Sequence, residues 1–599
     1  MGICLSKTLR PLIIEKIPKI LFYGLICHGY NFTMVIYYDR SRIFQKIIFI
    51  FLIIIFSGGM VACNPNDFAV VESKSEETQQ NNSTVAIPMI TPKINEQPTA
   101  NISKPFPPVW TEKDIPSEAM DLLGISKDNT QYTKKNSEIV LQVDNVKEGL
   151  IVFQKVFFVG VMFTDVRDSI SLQDLHILWK NTEETKEIIW IAPDDRPYLE
   201  HIFGPVSKTV KVRTQQPEEC NSNQCLRILT MNNIEPEWRV IPVDGIDPFD
   251  TFFDLKAYPL RFMISAVAQG ELNIEQVWSE SGLELYNDFD RNKFASVMMT
   301  GTTALVRGTA FQMEKNGVLF PSEHIGNLLQ SADITHISNE VPFYTECPAA
   351  LPLRKEMRFC SSPTYIELFS ELDIDVVELS GNHLLDWGPE AFEETLILYE
   401  KYGLPYYAGG KNMDEAEQPL IMERQGNRFV FIGCNVAGPD NNWATDTRPG
   451  AARCNLEKII DQISQYKEDG YLPIVTFQHH EIDDFIPIKL LREDFWAAAH
   501  AGAVVVSGSQ AHFPQGFDLV DGSFIDYGVG NLFFDQMDNW YRKATIDIHY
   551  FYDGRYINTR LIPIINEEYG QPRIMTEIEK EKFFTKLFAN SFLYAEMNQ

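Results

Sequence analysis

The chain has 599 residues, which is too long for one hydrophobic core, so two or three folded units are expected. Its formal net charge is -30 at pH 7 and its pI is near 4.8, which argues against nucleic-acid binding because few cations remain to neutralise phosphates. The hydrophobic fraction of 45% is ordinary for a globular protein, and dispersed acidity alone identifies no partner.

The N-terminal segment, residues 1–63, has the pattern of an export signal. Basic residues precede an apolar run at residues 47–56, and small residues then lead to Ala62 and Cys63. This ending resembles the lipobox of bacterial lipoproteins, which implies that Cys63 becomes the lipidated first residue on the extracytoplasmic face of the cell membrane. An uncleaved membrane anchor is the alternative, and the run is short for a spanning helix. Met34 is a candidate true start, and a first membrane segment at residues 20–38 stays open.

Residues 64–108 are rich in Ser, Thr, Asn, Gln, Glu and Pro and contain few large apolar side chains. This composition predicts a disordered tether between the membrane anchor and the first folded domain.

Residues 109–285 change to a mixed pattern that predicts a small α/β domain. The apolar run at residues 150–163 is typical of a strand, and an amphipathic helix follows with Ser171 as its N-cap. The order of these elements resembles one lobe of a type-II periplasmic solute-binding protein. The resemblance includes no sharp chemical motif, so it implies no ligand residues.

Six cysteines follow Cys63 in three local pairs. An even number of cysteines in an exported chain suggests disulfides, and local pairing is the preferred connectivity. Zinc binding is the alternative, although no Cys-x-x-Cys spacing occurs. The expected pairs are Cys220 with Cys225, Cys347 with Cys360, and Cys434 with Cys454.

Strands alternate with helices through residues 291–540, which predicts a layered, largely parallel sheet with functional loops on one edge. The stretch at residues 375–388 shows the pattern best. A short apolar strand enters a turn carrying Asn382, His383 and Asp386, and a helix is predicted from Pro389 to Gly403. Ligands bind at the carboxyl ends of such strands, so the turn is a polar site candidate, and a capped structural turn is the alternative.

Six short motifs follow one another in this region. They are Gly301-Thr-Thr-Ala-Leu-Val-Arg-Gly308, Ser338-Asn339-Glu340, Gly381-Asn382-His383-x-x-Asp386-x-Gly388, Asn412-x-x-Glu415-Ala416, Gly508-Ser-Gln-Ala-His512, and Tyr527-Gly-x-Gly-Asn531-x-x-Phe-Asp-Gln536. In this order they resemble the motifs of the CapA family of poly-γ-glutamate capsule proteins. The family is similar to calcineurin-like metallophosphoesterases. The resemblance implies an α/β fold with an αββα sandwich of metallophosphoesterase type, preceded here by the smaller α/β domain that resembles a solute-binding lobe.

The resemblance also implies a two-metal site, in which cations ~4 Å apart activate water at a phosphoryl centre. It assigns Glu340 as the bridging ligand, Asn382 and His512 as metal ligands, and His383 as a general acid or phosphate contact beside Asp386. His479 is the expected further ligand, although an ungapped alignment places Gln478 there.

Two positions depart from the family pattern. Thr302 replaces the usual first-loop Asp, and Gln510 replaces one His of the last motif. Neither side chain is a good ligand for a catalytic dication. Two interpretations stay open: a reduced site with one Mn, Fe or Zn ion, and a metal-free binding pocket. Arg307 and Asn339 are candidate substrate contacts, and a surface salt bridge is the alternative for Arg307.

Residues 541–599 are expected to complete the second domain. Asp553-Gly554 between two alternating runs predicts a β-hairpin, and residues 576–595 predict a terminal amphipathic helix.

The favoured function is a surface-anchored protein that assists synthesis, export or retention of an anionic capsule polymer such as poly-γ-glutamate, together with other membrane capsule-synthesis proteins. One alternative is a metal-dependent hydrolase of a phosphoester or of a polymer amide. The other is an extracytoplasmic ligand-binding module with a degenerate metallophosphoesterase-like scaffold.

Overall fold

A computed structural model describes residues 108–592 with short gaps, and also two strands nearer the N-terminus. The gaps are residues 113–114, 126–132, 144–148, 182–185, 221–223, 282–284 and 353–355. The chain divides into two compact units, residues 1–96 and 97–599. In the first unit, β1 (Ile20–Cys27) pairs antiparallel with β2 (Tyr30–Tyr37).

The predicted signal core, Cys63 and nearly all of the predicted tether lie outside the described residues. Among the helices that are described, none combines the length and the apolar character needed to cross a bilayer.

We call residues 108–287 the N-terminal lobe. Its strands are β3 (Val109–Thr111), β4 (Ile139–Val143), β5 (Leu150–Val156), β6 (Phe158–Met162), β7 (Ile188–Ile191), β8 (Val210–Val212), β9 (Cys225–Leu229), β10 (Trp238–Ile241), β11 (Arg261–Ala268) and β12 (Tyr286–Asn287). Its helices are α1 (Ser117–Leu122), α2 (Leu172–Lys180), α3 (Arg196–Phe203) and α4 (Ile274–Ser281).

The strands of the lobe form two five-stranded sheets, ordered β10-β6-β9-β7-β8 and β12-β5-β11-β4-β3. The apolar run predicted as one strand is two strands in different sheets, β5 and β6, separated by the fully buried Phe157. Both strands are largely buried, and Gln154 and Lys155 lie within β5 and not at the break itself. The predicted N-cap is confirmed, because the Ser171 side chain accepts a hydrogen bond from the Asp174 amide.

We call residues 288–592 the C-terminal sandwich. Its strands are β13 (Phe294–Met299), β14 (Thr302–Thr303), β15 (Ile334–Asn339), β16 (Val376–Glu378), β17 (Tyr406–Tyr407), β18 (Gly409–Gly410), β19 (Leu420–Arg424), β20 (Asn427–Asn435), β21 (Gly450–Ala451), β22 (Leu472–Gln478), β23 (Val505–Ser507), β24 (Phe517–Val520), β25 (Ser523–Asp526), β26 (Asn531–Phe533), β27 (Lys543–Tyr552), β28 (Arg555–Glu567) and β29 (Gln571–Ile574). Its helices are α5 (Arg307–Asn316), α6 (Gly326–Leu329), α7 (Ile366–Glu371), α8 (Pro389–Tyr402), α9 (Met413–Ala416), α10 (Leu456–Glu468), α11 (Lys489–Ala501) and α12 (Glu577–Phe588).

The sandwich is built from a nine-stranded and a six-stranded sheet. The first has the order β17-β16-β15-β13-β27-β28-β29, with β14 and β26 beside β15, and the second has the order β19-β20-β22-β23-β25-β24. The strands β13, β15, β16 and β17 run parallel, as do β20, β22, β23 and β25. The loops that carry the predicted site residues therefore lie at the carboxyl ends of these strands.

The layers follow from alternation along the strands. In β13, Val297 and Met299 join the core between the two sheets, whereas Phe294 and Met298 join the core on the opposite face. That second core also contains residues of α7 and α8, and a third core holds residues of α10 and α11 against the six-stranded sheet. The order of layers is helix, sheet, sheet, helix, as predicted.

Local predictions agree with the structure at α8 and at the terminal hairpin. Helix α8 begins at Pro389 and ends at the left-handed Gly403. Asp553 and Gly554 both have positive φ in the turn between β27 and β28. Helix α12 begins after Thr576 with a capping box and contributes Phe583 to the core between the sheets.

The three predicted disulfides are present, joining Cys220 to Cys225, Cys347 to Cys360 and Cys434 to Cys454.

The lobe and the sandwich belong to the same compact unit. Arg560 of β28 forms a two-pronged ion pair with Asp247, and the Asn558 amide donates to the Trp238 carbonyl at 2.7 Å. The whole described chain is α/β. The predicted first domain ends at residue 285, just before β12, and the predicted second domain begins at residue 291, just before β13. The division of this unit into two domains stays a prediction.

Candidate metal centre

Three side chains with metal-binding atoms converge at the carboxyl edge of the sandwich. Glu340 follows β15, Glu481 lies in the loop after β22, and His512 lies in the loop after β23. One ligand atom from each lies within 4.8 Å of the others. The His512 Nε2 atom is 3.6 Å from Glu340 Oε1 and 3.7 Å from Glu481 Oε1. The predicted Glu340 and His512 are thus brought together, and the sequence analysis missed Glu481.

Glu340 is almost fully buried, and neither of its carboxylate oxygens has a hydrogen-bond donor among the described residues. Burial opposes its ionisation, yet the positive charges of His512, His383 and Arg307 hold the pKa of Glu340 below its ordinary value. A buried carboxylate without donors calls for a bound cation or an ordered water.

His512 is oriented by a hydrogen bond on the far side of its ring. Its Nδ1 atom lies 2.7 Å from Asn531 Oδ1, and the Asn531 amide group donates to Gln536 and to the Tyr541 carbonyl. These contacts turn the Asn531 oxygen toward the imidazole, so Nδ1 carries a proton and Nε2 faces Glu340 and Glu481. Burial lowers the pKa of His512, but Glu340 and Glu481 outweigh it and raise the pKa to about 9.

The turn after β16 supplies the remaining predicted groups. Asn382 Oδ1 is a buried oxygen without a donor among the described residues, so it fits the role of a metal ligand. His383 Nδ1 lies 2.8 Å from Asp386 Oδ2, which also accepts from the Phe359 amide at 2.7 Å. Burial opposes protonation of His383, and Asp386 and Glu340 together raise its pKa. Asp386 therefore holds the His383 ring in place.

Close packing fixes this turn against Glu340. A side chain at Gly381 would place its Cβ 2.7 Å from the Glu340 Cα, so only glycine allows the two loops to approach. Asn442, which the sequence analysis missed, donates to the Gly381 carbonyl at 2.6 Å and accepts from the Leu385 amide at 2.9 Å.

His479 is not part of the converging group. Its Nε2 lies 3.1 Å from Asp494 of α11, and its Nδ1 accepts the His480 amide at 2.9 Å. Both ring nitrogens are therefore engaged elsewhere. Gln478, at the end of β22, has a buried Oε1 without a donor among the described residues, and its role as the alternative ligand stays a prediction.

The candidate substrate contacts are also held by neighbours. Arg307 pairs with Asp535 through two guanidinium nitrogens, and its side chain is only 18% exposed, so this is not a surface salt bridge. Asn339 is fully buried, and its amide group donates to the Val341 carbonyl and the Tyr399 hydroxyl, both at 2.8 Å. Their contact with a substrate stays a prediction.

The two residues that depart from the family pattern are buried in the same region. Thr302 is fully buried, and its hydroxyl donates to the Ser509 carbonyl at 3.5 Å. Gln510 donates to Ser338 Oγ, and its Oε1 has no donor among the described residues.

Carboxylates, an imidazole and a carboxamide suit Mn, Fe or Zn. One such ion fits Glu340, Glu481 and His512, and Asn382 lies in the adjoining turn that packs against Glu340. Thr302 supplies no charge for a second ion.

Residues 296–536 match the family described as bacterial capsule synthesis protein PGA_cap. This segment is similar to that family. The capsule biosynthesis protein CapA of Bacillus anthracis is 23% identical over 305 residues, which cover 49% of this chain and 73% of that protein. The PGA biosynthesis protein CapA of Bacillus subtilis is 22% identical over 243 residues, covering 38% of this chain and 63% of that protein.

Other similar proteins match shorter or more divergent parts of the CapA-like chain. A probable polyglutamine synthesis accessory protein of Mycobacterium tuberculosis is 24% identical over 194 residues, covering 30% of this chain and 50% of that protein. Among solved structures, a 5'-nucleotidase precursor from Thermus thermophilus covers 50% of this chain and 58% of its own at 12% identity, with a TM-score of 0.29. An ABC-type phosphate transport receptor from Vibrio cholerae covers 28% and 79% at 11% identity, with a TM-score of 0.21.

Proposed function

We propose that this CapA-like chain is an accessory protein for an anionic capsule polymer such as poly-γ-glutamate, and that it acts through one divalent metal ion at Glu340, Glu481 and His512. The observation that carries the proposal is the convergence of these three side chains inside the segment that matches the capsule synthesis family. Mn, Fe or Zn would supply a Lewis acid there and would replace the proton on His512 as the partner of the two carboxylates.

A polyanion would need a local cation at this site. The whole chain carries a net charge of -30, so long-range attraction of a polymer carboxylate is unfavourable. His383, His512 and Arg307 lower the pKa of Glu340. Nearby carboxylates offset their charges, since His383 pairs with Asp386 and Arg307 pairs with Asp535. A metal ion would supply the missing positive charge and would give a carboxylate of the polymer a direct partner.

Replacement of the gene in its own organism by a Glu340→Gln copy tests this proposal. The variant keeps the size of the side chain and removes its charge, so cell-associated polymer should fall by at least about tenfold if the metal is needed. Glu423→Gln, a change at an exposed position of β19, is the matched control. Unchanged polymer in the Glu340 variant, with the protein present at normal level, would refute a role for this site.

A hydrolytic activity is the second candidate, and the His383–Asp386 pair favours it. An imidazole held by a carboxylate, with a raised pKa, beside a candidate metal site can protonate a leaving group while water attacks a phosphoester or a polymer amide. Hydrolysis of p-nitrophenyl phosphate and of poly-γ-glutamate in the presence of Mn or Zn should then be lost in His383→Gln. No turnover by the wild-type protein with either metal would exclude this activity.

We also propose that the chain is held at the outer face of the cell membrane by a lipid on Cys63, where it meets the other membrane proteins of capsule synthesis. The support is the signal-like pattern of residues 47–63. Cys63→Ser should move the protein from the membrane fraction to the medium or periplasm, and unchanged retention would favour a spanning segment instead.

A further inference from the structure

A cavity of about 260 Å³ lies between the lobe and the sandwich, lined by residues other than those of the metal centre. The loop after β6 and the strand β10 line it from the lobe, and β28 and α12 line it from the sandwich. Its volume is near the lower end of the ~300–1,000 Å³ that small-molecule sites occupy.

The cavity has a large apolar wall. Phe163, Leu561, Met575 and Phe584 line it, and each is less than one-tenth exposed. Phe588 at the end of α12 extends the same surface. Such a wall accepts the hydrocarbon part of a ligand.

Arg239 of β10 differs from the other cations of the lining in its partners. Its guanidinium donates to the carbonyls of Asp165 at 2.6 Å and Arg167 at 2.5 Å, and no carboxylate of the described residues lies within 4 Å of it. The other two cations of the lining have carboxylate partners: Arg560 pairs with Asp247, and Lys580 pairs with Asp168 and Glu577.

Asp165, Asp168 and Glu577 also line the cavity, but they pair with Arg167 and Lys580, so Arg239 is the charged group of the described lining that has no direct partner of opposite charge. Burial and the neighbouring Arg560 lower the pKa of Arg239 to about 10, although Asp168 and Asp165 act in the opposite direction. A partly buried guanidinium without a carboxylate costs free energy that a bound anion would recover. Its planar donors also match a carboxylate group in size and geometry.

We propose that this cavity binds a small amphiphilic carboxylate, with its carboxylate on Arg239 and its hydrocarbon chain against Phe163, Leu561 and Phe584. This site is separate from the metal centre and does not depend on the proposed role in capsule synthesis.

Isothermal titration of the purified protein with octanoate tests the proposal. Octan-1-ol and octylammonium serve as the uncharged and the positively charged probes with the same hydrocarbon chain. Octanoate should bind one to one and at least about tenfold more tightly than either, because a hydrogen bond to a charged partner contributes roughly that much. No binding of octanoate, or equal binding of octan-1-ol, would overturn the proposal.

Variants locate the site. Arg239→Gln removes the charge and keeps donors for the two carbonyls, so octanoate affinity should fall by at least about tenfold. Leu561→Trp should fill the cavity and abolish binding. Arg428→Gln is the matched control, because Arg428 of β20 is exposed and also donates to a backbone carbonyl. Unchanged affinity in Arg239→Gln would refute the assignment, and if that variant does not fold, the comparison of octanoate with octan-1-ol on the wild-type protein decides alone.

Discussion

At the residue scale, the candidate metal centre depends on side chains that set the direction of its ligands. Asn531 does so for His512, and Asp386 does so for His383. Such partners fix which ring nitrogen faces the metal and are important for affinity.

The Asn531–His512 contact predicts a graded effect on metal binding. Asn531→Ala should weaken metal affinity by about 10–100-fold, because Nδ1 of His512 loses its acceptor and Nε2 is no longer directed at Glu340. Asn531→Asp keeps the acceptor for His512 but removes the donors to Gln536 and to the Tyr541 carbonyl, so its affinity should lie between those of Asn531→Ala and wild type. Titration of the apoprotein with Zn or Mn measures both, and equal affinity of Asn531→Ala and wild type would show that the contact does not orient the ligand.

A second prediction concerns two carboxyl groups that meet between the sheets. Burial raises the pKa of Asp547 to about 7, and burial together with Asp547 raises that of Asp526 well above its ordinary value. The folded protein therefore keeps a proton that the unfolded chain releases near pH 4. This contribution to stability is fully present below about pH 4 and is lost as the pH rises through about 7, by about 1.4 kcal/mol per pH unit for each proton retained.

Asp547→Asn should flatten this pH dependence. Chemical unfolding at pH 5 and pH 8 should show a smaller loss of stability in the variant than in the wild-type protein, while the exposed Glu423→Gln should behave like wild type. Equal losses in Asp547→Asn and wild type would mean that the pair does not share a proton.

The sequence predicts part of the site at this scale. Glu340, Asn382, His383 and His512 follow strands whose carboxyl ends meet at one edge, so their proximity was expected. Glu481 was missed because it lies in an exposed loop, and only the fold of that loop brings it to His512. His479 was favoured over its neighbours, yet the chain turns it to Asp494, a contact that no local pattern shows.

At the scale of elements, the turn after β16 has to approach the end of β15 closely. Gly381→Ala should cost about 1–3 kcal/mol and weaken metal binding, because its Cβ would meet the Glu340 backbone at 2.7 Å.

Gly326→Ala is the matched control for this change. A Cβ at Gly326 lies 3.7 Å from its nearest neighbour, so the free energy of unfolding should stay within about 0.5 kcal/mol of wild type. Denaturant unfolding and metal titration of both variants measure the difference. Similar behaviour of the two alanine variants would contradict the proposed packing.

The sequence predicts elements well where local chemistry decides them. Helix α8 has proline at its start and glycine after its end, and the hairpin has Asp553-Gly554 with the positive φ values that its tight turn requires. Residues 150–163 were read as one strand because both β5 and β6 are apolar. The chain passes from one sheet to the other at Phe157, and this depends on tertiary packing, which the periodicity of the sequence does not reveal.

At the scale of the whole molecule, an acidic chain places a candidate metal site with two carboxylates and one imidazole at the edge of a sandwich. The order of the family-like loops predicted the αββα layers because each loop follows a strand of the sheet. The attachment of the lobe could not be predicted, since the Arg560–Asp247 and Asn558–Trp238 contacts join residues more than 300 positions apart.

The most direct test of the central claim is the metal content of the purified protein. After incubation with Mn, Fe or Zn and removal of free metal, elemental analysis should give about one ion per wild-type chain and a large loss in Glu340→Gln, with Glu423→Gln like wild type. No bound metal in the wild-type protein, or equal metal in the Glu340 variant, would contradict the account.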